Sequence, residues 1–255
     1  MLPRALILHA NGTNRDHESA QALEQAGAQP EIVPLYQLRS GDKQWADYQL
    51  LILPGGFSYG DALGAGRLLA LDLSVYFADE VSAFISAGKA VLGICNGFQA
   101  LVKAGLLPNL KSPATLTFNA SGHFECRWIT LVSRSNTCVW TCDLDEAIYC
   151  PVAHGEGRFV LANPDDLNTL QAHDQIALTY ADSDGSSADG VYPANPNGSL
   201  ADIAGVCNPA GNVLGLMPHA EDHIYPFQHP RWTRGETERG GLQLFINGVQ
   251  YAAQH

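Results

Sequence analysis

Positively charged residues are scarce in this chain of 255 residues: 14 lysines and arginines stand against 26 acidic residues, which gives a net charge of −12. This balance argues against nucleic acid and anionic membranes as partners, because both attract clustered basic residues. No apolar stretch approaches the length of a membrane span, and the N-terminus lacks a secretory signal pattern. Six cysteines are too few for a disulfide-stapled scaffold. The sequence predicts an acidic cytoplasmic protein with reduced thiols.

Hydrophobic residues make up 46% of the chain, which is enough for a substantial core. In the first hundred residues, apolar runs alternate with helical patterns, as in a parallel sheet with crossover helices. The predicted strands there are 4–9, 31–35, 49–53 and 90–94, and the predicted helices are 16–25, 75–87 and 96–104. Strands then predominate, at 118–132, 148–152, 175–180 and 213–217, before a last helix at 240–253; residues 182–199 are predicted to be an irregular loop. The pattern indicates one α/β domain over residues 1–255, with an open mixed, mostly parallel sheet flanked by helices.

The segment 93–99, Gly-Ile-Cys-Asn-Gly-Phe-Gln, has the pattern of a nucleophile elbow. Small residues stand two before and two after Cys95, between an apolar strand and a helix, and the sharp turn of an elbow needs that space. At a helix N-terminus, the positive end of the dipole favours a thiolate. A buried structural cysteine in a glycine-rich turn is the alternative.

A cysteine nucleophile needs a base, and the base needs an acceptor that orients it. Two histidine/glutamate pairs qualify, His219 with Glu221 and His154 with Glu156. Spacing along the chain does not choose between them, because such partners are assembled in space.

Residues 54–61, Pro-Gly-Gly-Phe-Ser-Tyr-Gly-Asp, follow a predicted strand. Consecutive glycines at a strand end let backbone N–H groups approach a ligand closely, which suits an oxyanion hole. The same residues are also compatible with a plain turn.

Together with residues 153–158 and 217–219, the segments 54–61 and 93–99 resemble the class I glutamine amidotransferases. Within that family, the Phe-Ser-Tyr-Gly-Asp and His-Gly-Glu-Gly signatures are similar to those of the glutaminase components of phosphoribosylformylglycinamidine synthase, an enzyme of purine biosynthesis. The resemblance covers essentially the whole chain and implies the flavodoxin-like fold of the family.

The resemblance implies Cys95 as nucleophile, His219 as base and Glu221 as the carboxylate that orients the base. It also implies that the backbone N–H groups of Gly56 and Asn96 form the oxyanion hole.

Further residues are implied around the glutamine pocket, and these are Gly55, Phe57, Gln99, His154, Gly155 and Arg158. The resemblance thereby assigns the second histidine/glutamate pair to the wall of the pocket and not to catalysis. One departure concerns the base motif: the usual Pro-His-Pro-Glu-Arg reads Pro-His-Ala-Glu-Asp at 218–222, so Asp222 places a negative charge where a cation is usual.

The resemblance implies glutamine as substrate and a large synthetase subunit as partner, with a small accessory subunit as a further candidate. No P-loop pattern occurs, so no cofactor is expected on this chain, and ATP and magnesium are expected on the synthetase.

Three alternatives remain. Cys138, Cys142, Cys150 and His154 are residue types that can hold tetrahedral zinc, although their spacing is not that of a standard finger or ribbon and no metal is the main expectation. The chain could be a non-catalytic docking or regulatory subunit. It could also be a different cysteine hydrolase whose acid lies upstream, at Glu18 or Asp61.

Overall fold

The computed structural model describes residues 2–236 and 240–254 of the chain. Its strands are β1 (Arg4–His9), β2 (Gln29–Pro34), β3 (Leu50–Leu53), β4 (Ala90–Ile94), β5 (Ala114–Thr117), β6 (Glu125–Ser133), β7 (Ile148–His154), β8 (Arg158–Leu161), β9 (Ile176–Ala181), β10 (Ile203–Cys207) and β11 (Val213–Leu216). Its helices are α1 (Asp16–Ala26), α2 (Leu35–Ser40), α3 (Arg67–Leu71), α4 (Ala78–Ser86), α5 (Asn96–Lys103), α6 (Asp166–Ala172) and α7 (Leu242–Ala252). The predicted single domain stays a prediction, and residues 1, 237–239 and 255 of its range lie outside the described part.

Within the described residues, the main sheet has the strand order β2-β1-β3-β4-β11-β10-β9-β6-β7. The first five strands of that order are mutually parallel, and each later strand pairs antiparallel with its neighbour. Helices α1 and α7 pack together and contact the sheet, and α3 packs on α5, which also contacts the sheet. The predicted mixed, mostly parallel sheet flanked by helices is therefore confirmed.

The central strands are built from uninterrupted apolar sequence. Every residue of β3 and of β4 is buried. Such runs are typical of parallel strands covered by helices on both faces. Along the described ranges, no helix is long and apolar enough to cross a membrane.

The largest differences from the predicted element boundaries are at the starts of β6 and α4. The predicted strand 118–132 is wrong at its start, because residues 118–124 form a loop and β6 begins at Glu125. The predicted helix 75–87 begins later, at Ala78, because a separate π-helical turn occupies Asp72–Tyr76. A small antiparallel pair, β5 with β8, was not predicted.

The order of the parallel strands brings three strand ends together. Leu53 of β3 lies beside Gly93 of β4, and Ile94 of β4 lies beside Leu216 of β11. Ligands in open α/β sheets bind outside the carboxyl ends of such strands. The segments that follow β3, β4 and β11 contain the glycine loop, Cys95 and His219.

Candidate active site

Cys95 occupies a sharp turn between β4 and α5. Its backbone has φ +48° and ψ −101°, a conformation that L-residues seldom adopt, and the residue is 5% exposed. Strained backbone of this kind persists where the surrounding structure enforces it, commonly at active sites. The predicted elbow geometry is present at Cys95.

The neighbouring glycines explain why small residues flank the turn. A Cβ on Gly97 would lie 1.9 Å from the carbonyl oxygen of Leu53, and a Cβ on Gly93 would lie 2.9 Å from the backbone of Gly97. Helix α5 therefore packs directly on the end of β3. Any larger side chain would displace the helix that begins at Asn96.

His219 and Glu221 lie in the segment that follows β11. His219 Nδ1 donates to Glu221 Oε1 across 2.7 Å, and Cys95 is the other side chain whose interaction raises the pKa of the imidazole. The backbone N–H of His219 donates to Pro151 O at 2.8 Å, which fixes the start of the turn. His219 is 3% exposed and Glu221 is fully buried. Cys95, His219 and Glu221 thus form a continuous chain of contacts.

The charge state of His219 follows from these neighbours. Burial by itself lowers the pKa of the imidazole, but the neighbouring Glu221 carboxylate and Cys95 side chain outweigh burial and hold the pKa of His219 well above its ordinary value. An imidazolium beside a thiolate is the arrangement that activates a cysteine nucleophile.

The pKa of the second histidine, His154, is shifted in the opposite direction. His154 Nδ1 lies 3.1 Å from Asn119 Oδ1, and because the Asn119 amide NH2 already donates to two carbonyls, this oxygen acts as acceptor for the Nδ1 proton. Burial, together with the positive charge of His219, lowers the pKa of His154 to about 4. Its buried Nε2 has no hydrogen-bond partner among the described residues. His154 is therefore a neutral ring whose Nε2 is a free acceptor.

Glu156 does not contact His154 as a catalytic carboxylate would. Its two oxygens accept from Ala65 N at 3.3 Å and from Lys103 Nζ at 3.3 Å. Of the two pairs that sequence spacing left open, only His219 with Glu221 is assembled at Cys95.

The amides of Gly56 and Asn96 lie at the ends of β3 and β4. Asn96 N–H belongs to the first turn of α5, where the helix supplies no acceptor. Gly56 has φ +130°, and a Cβ there would lie 2.7 Å from Asn14 N. In the described part of the chain, neither amide donates a hydrogen bond to protein. Both are available to an oxyanion.

The Asn96 side chain ties the glycine loop to the elbow. Its Oδ1 accepts from Ser58 N at 3.2 Å, and its Nδ2 donates to Asp61 Oδ1 and to Gln99 Oε1 at 3.1 Å each. Burial raises the pKa of Asp61. Gln99 in turn donates to Glu156 O at 2.7 Å. This network positions both amides of the candidate oxyanion hole.

The remaining predicted pocket residues are distributed around this centre. Gly55 lies against His219, because a Cβ on it would be 2.7 Å from the imidazole. Phe57 is 45% exposed, and Gly155 O accepts from Asn119 N. Arg158 is exposed and donates to Gly198 O. Glutamine contacts by Gly55, Phe57, Gln99, His154, Gly155 and Arg158 stay predictions.

Other contacts escaped the sequence reasoning. Asn119 falls within the predicted strand 118–132, but in the structure it lies in a loop and anchors His154. The sequence around Lys103 does not indicate its ion pair, because the partner Glu156 is 53 residues away. The upstream acids of the alternative hydrolase have other partners, since Asp61 bonds to Asn96 and Glu18 to Arg15.

The zinc alternative rests on residues that the fold does not gather. Over residues 2–236 and 240–254, no group of three or more histidine, cysteine or acidic side chains is arranged to hold a metal ion. All six cysteines lie in these ranges and are free thiols, and Cys142 Sγ donates to Val139 O at 3.2 Å.

Comparisons with known proteins find relatives along nearly the whole chain. A family model described as the CobB/CobQ-like glutamine amidotransferase domain matches residues 2–252. The phosphoribosylformylglycinamidine synthase subunit PurQ of Treponema denticola is 52% identical, over 98% of this chain and 99% of that protein. The PurQ subunit of Dehalococcoides mccartyi is 44% identical, with 98% of each chain covered.

Solved structures give the same result. The structure of PurLQS from Thermotoga maritima matches with a TM-score of 0.75 and 33% identity, covering 98% of this chain and 99% of that one. A glutamine amidotransferase from the same organism matches with a TM-score of 0.54 at 15% identity, covering 100% and 97%, and supports the fold alone.

Proposed function

Because the chain belongs to the CobB/CobQ-like glutamine amidotransferase family, and within it is similar along nearly its whole length to PurQ subunits, we propose that Cys95, His219 and Glu221 hydrolyse glutamine and release ammonia for a synthetase. The resemblance to glutamine amidotransferases that the sequence motifs indicate is confirmed. The protein is the glutaminase subunit of phosphoribosylformylglycinamidine synthase, an ATP-dependent ligase of purine biosynthesis.

One observation supports the catalytic assignment above the others. His219, with its pKa raised by the neighbouring Glu221 and Cys95, hydrogen-bonds the buried Glu221 carboxylate at 2.7 Å. That combination provides a nucleophile, a proton carrier and a group that orients the carrier.

In the first half-reaction, the Cys95 thiolate attacks the side-chain amide carbon of glutamine. The amide oxygen becomes an oxyanion, which accepts hydrogen bonds from the N–H groups of Gly56 and Asn96. His219 gives its proton to the departing nitrogen, so that ammonia leaves and a glutamyl thioester forms on Cys95.

In the second half-reaction, neutral His219 takes a proton from water, which attacks the thioester. The same two amides hold the second oxyanion, and Cys95 leaves as a thiolate. The products are glutamate and ammonia, and His219 is again an imidazolium.

His154 provides an uncharged hydrogen-bond acceptor in the wall of this pocket. Its Nε2 is buried, has no partner in the described ranges and stays unprotonated at neutral pH because its pKa is about 4. An acceptor of this kind suits an N–H group of glutamine or the ammonia product, and it does not compete with His219 for the Cys95 proton.

The partner of the chain is the large synthetase subunit, and the Thermotoga maritima relative, PurLQS, also contains PurS. We propose that ammonia passes directly to the synthetase, because ammonia released into neutral water would be protonated and lose its nucleophilicity. No cofactor is proposed on this chain, and ATP and magnesium are assigned to the synthetase. We also propose that the protein functions in the cytoplasm, a location consistent with its six free thiols.

The test is glutamate release by the chain in complex with its synthetase, substrate and ATP. Cys95→Ala should abolish glutamate release and leave ammonia-dependent synthesis intact. Cys126→Ala is the matched control, because Cys126 is an exposed thiol on β6. Glutamate release by Cys95→Ala at the wild-type rate would refute the assignment.

A further inference from the structure

The turn that carries Glu221 is held to helix α1 by an ion pair. Asp222 Oδ1 lies 3.2 Å from an Nη atom of Arg15, the residue that precedes α1, and the two are 207 positions apart in sequence. Their side chains are 17% and 35% exposed. The same guanidinium also pairs with Glu18, at 3.1 Å. Arg15 is therefore the bridge between α1 and the turn Ala220–Asp222.

Glu221 is a fully buried carboxylate. Its Oε1 accepts from His219, but its Oε2 is buried and has no hydrogen-bond partner in the part of the chain that the structure describes. Asp222 is a second carboxylate next to it, and burial together with the Glu221 charge raises the pKa of Asp222 to about 6. Two adjacent, largely buried carboxylates repel each other unless a cation is close.

Arg15 also approaches the catalytic histidine from behind. Its Cγ lies 3.5 Å from the point where Gly55 would carry a Cβ, and His219 Cε1 lies 2.7 Å from the same point. The aliphatic part of Arg15 and the imidazole therefore both lie against the same side of Gly55. The guanidinium end and the aliphatic stem of one side chain contact two parts of the triad support.

We propose that Arg15 is a positioning residue for the triad: its ion pair with Asp222 holds the turn Ala220–Asp222 so that Glu221 stays directed at His219. Arg15 touches neither glutamine nor the reacting atoms in this role. The inference rests on the proposed glutaminase function and deepens it, because it assigns the support of the orienting carboxylate to a residue from the other end of the chain.

The test measures kcat and KM for glutamine in the complete complex with the synthetase. Arg15→Gln should lower kcat about tenfold, which corresponds to about 1.4 kcal/mol in the barrier, and leave KM within about twofold. Arg15→Lys keeps a cation and should retain most of kcat. The matched control is Arg4→Gln, which removes a surface ion pair with Glu31 on β2, at 3.0 Å, away from the turn.

A double-mutant comparison separates positioning from general destabilisation. In an Asp222→Asn background, Arg15→Gln should have little further effect on kcat, because the pair is already broken. The proposal would be overturned if Arg15→Gln kept the wild-type kcat. It would also be overturned if Arg15→Gln lowered kcat by the same tenfold in the Asp222→Asn background.

If Arg15→Gln is too unstable to assay, a variant in which the charges of Arg15 and Asp222 are swapped tests the proposal. Arg15→Glu combined with Asp222→Arg should recover activity that Arg15→Glu alone loses, and absence of recovery would overturn the proposal. Wild-type and Cys95→Ala complexes are assayed alongside. Absence of glutamate release by wild type counts against the glutaminase function itself, whereas an active wild type with an equally active Arg15→Gln counts against this inference alone.

Discussion

Replacing Gly97 by alanine tests whether the packing of α5 on β3 sets the geometry at Cys95. The added Cβ would lie 1.9 Å from Leu53 O, and a tolerable contact needs at least 3.0 Å, so the start of α5 must move by about 1.1 Å. That movement carries the Asn96 amide and the Cys95 thiol away from their partners. A misplacement of about 1 Å costs roughly 100-fold in rate.

We therefore expect Gly97→Ala to lower kcat for glutamate release about 100-fold, with a loss of about 1–3 kcal/mol in the free energy of unfolding from overpacking. Steady-state kinetics on the complex and denaturant unfolding of the chain measure the two effects. Gly27→Ala is the control, because Gly27 also has a positive φ but lies at the end of α1 with open space among the described residues around its Cβ position. A Gly97→Ala complex with wild-type kcat would refute the reasoning.

Three further outcomes are expected. Glu221→Gln should lower the pKa of His219 and reduce kcat about 100-fold or more, measured as the pH profile of glutamate release, and an unchanged profile would contradict the triad. Gly56→Ala should reduce kcat about 100-fold to 1000-fold, because the Cβ would lie 2.7 Å from Asn14 N and displace an oxyanion donor; a change in KM alone would contradict that role. His154 has a folded pKa of about 4 against 6.5 unfolded, so the unfolded state binds more protons in this window, and about 3 kcal/mol of stability should be lost as pH falls from 6.5 to 4. Urea unfolding of His154→Gln should lack this part of the pH dependence.

The elbow could be predicted from sequence because its determinants are local. An apolar strand, two flanking glycines and a helix start all lie within a dozen residues of Cys95, and the structure adds only the distances that make the glycines necessary. The local sequence did not identify the catalytic base. Spacing left His219 and His154 equivalent, and only the resemblance to a family separated them before the fold placed His219 at the end of the strand next to Cys95.

The supporting network lay beyond sequence reasoning for a physical reason. Asn119 reaches His154 across 35 positions, and Arg15 reaches Asp222 across 207, and nothing in the local pattern marks either residue. Most of the parallel half of the sheet was predictable because β1, β3, β4 and β11 contain continuous apolar runs. In the other half, β10 was missed because its sequence, Ile-Ala-Gly-Val-Cys, is short and built largely of small residues.

The measurement closest to the central claim is the covalent intermediate on Cys95. The complex is mixed with glutamine and synthetase substrates, quenched in acid within the first turnovers, digested and analysed by mass spectrometry. The account predicts a glutamyl group on the peptide that contains Cys95, and none on the peptide that contains the exposed thiol Cys126. Glutamate production at full rate with no adduct on Cys95, or with the adduct on another cysteine, would contradict it.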